Sequence, residues 1–200
     1  MFYRITLSSL VALTLGAAVM TAAAVSPQQA DAFARKVAII TQQGTLAPRA
    51  VGARRTPVTE SEVNSWFAYR AQPLLPQGMR EPQVTIIGEG KVSGTATLDL
   101  EAVGKSRRTG GLIDPWALLG GQLPVTVTGV LHTQNGQGRF ELQQAAVSGV
   151  PIPKTLLQEL VSYYSRTAED PSGVNLDEAF NLPANIRQIE VGQGQAVVVQ

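Results

Sequence analysis

The 200 residues suit one domain, or one domain plus a targeting segment. With 16 basic residues against 15 acidic ones, the net charge of +1 lacks the basic excess of a dedicated nucleic-acid binder, so no nucleic-acid partner is expected. The absence of cysteine removes disulfides, thiolate catalysis, cysteine-based zinc sites and cysteine-linked lipid, and leaves stability to a packed core.

Arg4 precedes an uncharged run that contains Leu7, Leu10, Val11, Leu13, Leu15 and Val19, and small residues follow at Ala22, Ala23 and Ala24. A basic start, an apolar stretch and small residues at −3 and −1 form the plan of a secretory signal peptide, assigned to residues 1–34. Ala22 and Ala24 give a cleavage site before Val25, while Ala30 with Ala32, or Ala32 with Ala34, give later ones. The alternative is an uncleaved N-terminal anchor, since about 20 apolar residues can span a bilayer. Either way the protein is expected to be exported, to the periplasm or the extracellular space. Residues 35–57 read as a basic flexible linker: Arg35, Lys36, Arg49, Arg54 and Arg55 precede the next acid at Glu60, and glycines and prolines interrupt them. Such an arm could contact anionic lipid headgroups.

The single folded domain is placed at residues 58–200. Thr59 and Glu62 match a capping box, followed by Val63, Trp66 and Phe67 at helical spacing. Gln83 to Gly88 pairs in a hairpin with a long alternating strand, in which Val92, Gly94, Ala96, Leu98, Leu100 and Ala102 share the dry face. Residues 104–122 read as a loop, folded back through Trp116. A strand from Pro124 to about Thr133 reaches Asn135-Gly136, the strongest short hairpin signal, and a return strand carries Phe140, Leu142 and Ala146. Leu156, Leu157, Leu160, Val161 and Tyr164 mark a second amphipathic helix from about Lys154 to Arg166, and Ile186–Val191 with Ala196–Val199 closes the chain as a hairpin. The fold class that follows is α+β: a curved antiparallel sheet of about six strands packed on two amphipathic helices.

No catalytic constellation emerges, and the expectation is a non-enzymatic protein. His132 is the only histidine, which excludes imidazole pairs as metal ligands, and no nucleophile-elbow motif accompanies it. The carboxylate pairs Glu60/Glu62, Asp99/Glu101, Glu169/Asp170 and Asp177/Glu178 lack the apolar surroundings that raise a general acid's pKa. The Gly88–Gly94 stretch has the wrong spacing and context for a dinucleotide loop. Neither a cofactor nor a metal is expected.

The stretches Val58–Phe67, Gly90–Leu100, Pro124–Gly129 and Val147–Leu157 resemble segments of exported bacterial TULIP-like and AsmA-like envelope domains of the YpmS and LmeA kind. The resemblance covers residues 58–200 and implies a cell-envelope protein with an apolar groove for a lipid or acyl chain. The groove residues expected on this basis are Trp66, Phe67, Leu98, Leu100, Leu157 and Leu160. An envelope scaffold or protein-interaction module without a ligand is the alternative, and a carboxylate-dependent hydrolase the third reading.

Overall fold

The computed structural model describes residues 24–46, 54–99, 121–166 and 171–200; within the second helix of the sequence reading it leaves the side chains of Leu160, Tyr163 and Tyr164 undescribed. The expected signal segment up to residue 23 and most of the 104–122 loop lie outside the described residues.

The chain runs α1 (Pro27–Gly44), β1 (Arg55–Thr59), α2 (Glu60–Tyr69), β2 (Met79–Gly88), β3 (Lys91–Asp99), β4 (Gln122–Gln134), β5 (Gln137–Val147), β6 (Val150–Pro151), α3 (Lys154–Ser165), β7 (Phe180–Asn181), β8 (Gln188–Val191) and β9 (Gln195–Val199). The result is the α+β arrangement, with an antiparallel six-stranded sheet in the order β2-β3-β4-β5-β6 and β7 paired to β5. The closing hairpin does not extend that sheet. It joins β1 in a second, three-stranded sheet of order β1-β9-β8, with Thr56 opposite Val198 and Val58 opposite Ala196.

Two devices turn and bend the main sheet. Asn135 and Gly136, at φ 52° and 82°, form the left-handed turn between β4 and β5, which suits the natural twist of a hairpin. Breaks in register between Arg80 and Gln83, where Glu81 has φ 48°, and between Thr128 and Gly129 bend the strands that carry them.

The largest departure from expectation is at the N-terminal side. Three helices are described rather than two, because residues read as the end of a signal and the start of a linker form α1. Ser26 caps it by accepting the Gln29 amide at 3.3 Å, and Pro27 occupies the first turn, where its missing N–H costs nothing. Arg55, the far end of the expected linker, opens β1. Local basic character did not prevent either element, because tertiary partners absorb the charges.

α1 lies on α2. Ser65, fully buried, accepts the Ser26 amide at 3.1 Å and donates to the Ser61 carbonyl at 2.5 Å, so a small polar residue satisfies the start of one helix from the middle of the other. Phe33 meets Trp66 edge-on, with ring centroids 5.7 Å apart and planes at 60°. The capping box is present: Glu62 accepts the Thr59 amide at 2.9 Å, and the Thr59 hydroxyl accepts the Glu62 amide at 3.3 Å. Glu62 also takes Lys36 of α1 at 2.7 Å.

Burial pushes the Glu62 carboxyl up, but the hydrogen bonds from Lys36 and Thr59 together with the Lys36 charge outweigh it and hold the group below its ordinary range. A lowered folded-state pKa contributes stability above the unfolded value, about 4.3, and that contribution is lost as pH falls through the lower folded value. Unfolding titrated with urea between pH 6 and 2.5 should therefore show a stability loss below about pH 4.3 that is smaller in Glu62→Gln. Identical acid slopes in the two proteins would contradict this account.

Candidate functional site

One face of the main sheet, between α2 and α3, carries a groove of about 400 Å³. Its floor is formed by the dry residues of two adjacent strands. Gly94 stands opposite Val127, Ala96 opposite Val125, and Leu98 follows at the end of β3. One wall is β2, through Met79, Pro82 and Val84, with Phe67 of α2 above it; the other is α3, through Leu157 and Val161. Polar atoms come from Gln77, Gln83, Thr95 and Ser165, and no lining residue among those described is ionisable.

Local sequence explains how each wall is held. Phe67 follows Asn64 by three positions and shares its helix face. Asn64 donates to the Val84 carbonyl at 2.8 Å and accepts the Val84 amide at 2.7 Å, as a neighbouring strand would. Glu60 accepts the Ile86 amide at 2.7 Å, and the Gly194 amide donates to the Ile86 carbonyl at 2.8 Å. The free edge of β2 is thereby closed by side chains of α2 and the β8–β9 turn, which protects it from pairing with another chain. On the other side, Leu157 is buried and packs α3 toward β5, where Ala145 is also buried.

Gly94 decides the depth of the groove. Its backbone does not adopt the left-handed conformation that would require glycine, and among the described residues an added Cβ would meet only the Gln83 carbonyl oxygen, at 3.9 Å. A glycine inside a strand costs stability, and one with open space above it is a position where something outside the backbone can approach closely.

Of the residues expected to line a groove, Phe67, Leu98 and Leu157 do so together. Trp66 does not. Successive helix residues point about 100° apart, and Trp66 faces Phe33 on α1 while Phe67, 5.5 Å from it between ring centroids, faces the groove. Leu100 lies outside the described residues, and so does the side chain of Leu160. The lining from Met79, Pro82, Val84, Val125, Val127 and Val161 was missed. Its signal was present in the dry faces of β2 and β4, but the register that brings those faces together is non-local.

Several of the remaining candidates have structural roles. Lys36 pairs with Glu62, Arg55 with Glu190 through two contacts of 3.0 and 2.5 Å, and Arg54 donates to the Gln43 carbonyl at 3.2 Å. Arg35 is exposed on α1, and Arg49 lies outside the described residues. Among the carboxylate pairs, Glu60 and Glu62 serve the α2 start, Asp99 accepts Arg80 at 2.9 Å, Asp177 meets Lys154, and Glu178 accepts Asn175 at 3.0 Å. Glu101, Glu169 and Asp170 fall outside the described residues. His132 contacts Glu141 at 3.0 Å across the exposed sheet face.

In comparisons with known proteins, no family model and no curated protein matches this sequence. Among the described residues, no helix is long and apolar enough to cross a membrane.

Proposed function

We propose that this chain is an exported, non-enzymatic cell-envelope protein that holds a lipid acyl chain or another apolar ligand in the groove between α2, α3 and the main sheet. The observation that carries the reading is the floor at Gly94: a strand position without a side chain, open among the described residues, in an apolar surface. The volume of about 400 Å³ falls among small-molecule sites, which are typically about 300–1,000 Å³ and mostly apolar. The described lining offers no acid, base or nucleophile pair, which favours holding over converting a ligand. Export is supported by Arg4, the apolar run after it and the alanines before Val25. The TULIP-like resemblance of the sequence agrees with a groove of this kind.

The test is native mass spectrometry of protein purified from cells without detergent, followed by extraction and lipid analysis. The expected result is a bound species with an acyl or other extended apolar group. Bare polypeptide, together with no displacement of a fluorescent fatty acid in solution, would overturn the proposal in favour of a scaffold without a ligand.

A further inference from the structure

A second cavity, of about 360 Å³, lies at the other end of β4, under the β4–β5 turn. Asn135 of that turn stands eight residues beyond Val127 in the apolar groove, about 26 Å along an extended strand. The two sites are therefore separate, and their chemistry is opposite. Among the described residues this cavity is lined by Arg54 and Arg187, by Gln43, Asn135, Asn181, Asn185 and Gln200, and by no acidic side chain.

The walls are pinned by the backbone. The Gly136 amide donates to the Arg187 carbonyl at 2.9 Å, the Leu182 amide to the Gly136 carbonyl at 2.8 Å, the Arg187 amide to Val199 at 2.8 Å and the Gln200 amide to Arg54 at 3.0 Å. Asn185 is tied to the Gly44 carbonyl at 2.6 Å, and Gln200 donates to the carbonyls of Ile40 and Ala184 at 2.9 and 2.6 Å. Two donations fix the orientation of the Gln200 amide, whose Oε1 is shut off from solvent and has no donor among the described residues. The Gln43 Oε1 is also buried and without a donor. Arg187 is half-buried as a residue, and its guanidinium has no partner among the described residues. A guanidinium without a partner among the described residues thus stands with Arg54 and several side-chain amides around one cavity, and a charged donor gains most from an anionic acceptor.

The geometry points to a binding site for a small anion, the chemistry of a phosphate ester, either free or as a lipid headgroup. The anion accepts from Arg54 and Arg187. Guanidinium groups suit phosphate through charge-assisted, paired hydrogen bonds. This inference does not depend on the apolar groove being occupied.

The test is thermal unfolding of the full chain with glycerol 3-phosphate, with glycerol, and with sodium sulfate at matched ionic strength. Glycerol 3-phosphate is expected to raise Tm, glycerol to leave it unchanged, and sulfate to raise it less. Arg187→Met should weaken the effect about tenfold, and Arg187→Lys should retain part of it. Because the Arg187 side chain has no described partner, unliganded Tm and circular dichroism should match wild type in both variants. Cosedimentation with phosphatidylglycerol vesicles but not phosphatidylcholine vesicles, lost in Arg187→Met, assigns the headgroup source; binding of the free ester alone assigns the soluble one. No Tm shift with no vesicle binding, an equal shift from sulfate, or an equal effect in Arg187→Met overturns the proposal.

Discussion

Gly94→Leu is expected to abolish ligand binding while leaving the protein folded and no less stable. Position 94 has extended backbone with room for a Cβ, so the substitution meets no steric or conformational barrier at the strand itself. Replacing a strand glycine removes an entropic cost of about 0.5–1 kcal/mol, and the new side chain buries itself against Val84, Val127 and Leu157. It does so by occupying the space a ligand would take. Titration with a fluorescent fatty acid should show affinity reduced more than about tenfold, or 1.4 kcal/mol, while the urea midpoint stays level or rises. A variant that binds as well as wild type would remove the groove from consideration as the ligand site. A variant that unfolds would show that the open space at Gly94 is required for packing instead.

Asn64→Ala is expected to have the largest effect on stability of any surface-proximal substitution in α2. The side chain pairs both backbone groups of Val84, at 2.7 and 2.8 Å, and alanine leaves both without a protein partner. Each such loss costs about 1–3 kcal/mol where water has little access; with partial exposure here the sum is about 2 kcal/mol, readable from the urea midpoint at unchanged slope. Asn64→Asp keeps the acceptor and loses the donor, so it should fall between the two. The alanine variant also bares the edge of β2, and concentration-dependent association should accompany the loss. A stability change under about 0.5 kcal/mol would mean that solvent replaces both bonds.

The parts of the fold legible in the sequence are those with short-range causes. The capping box of Thr59 and Glu62, the alternation along β3, the Asn135-Gly136 turn and the hairpin around Gly192–Gly194 each follow from residues a few positions apart, and each is present. α1 was obscured by composition. Its stripe of Ala30, Phe33, Val37 and Ile40 has helical spacing, and Ser26-Pro27 is a helix start, but alanine-rich sequence resembles a signal peptide's end and the neighbouring Arg35-Lys36 resembles a linker. The pairing of Lys36 with Glu62, 26 positions away, is what no local reading supplies. The same limit applied to the groove. Phe67, Leu98 and Leu157 could be named from amphipathic patterns, whereas the choice between Trp66 and Phe67 depended on where α1 docks.

The cap at Ser26 also bears on the signal cleavage that export as proposed would entail. A cut before Val25 leaves Ser26, its bond to Gln29 and its amide donation to Ser65 in place. A cut after Ala32 or Ala34 discards the N-cap, the fully buried Ala30 and the first two turns of α1, and the later one removes Phe33 from the face of Trp66 as well. Ser65, sealed from solvent, would then lose the amide it accepts. Of the three sites that small residues allow, only the one before Val25 delivers the paired helices α1 and α2 whole.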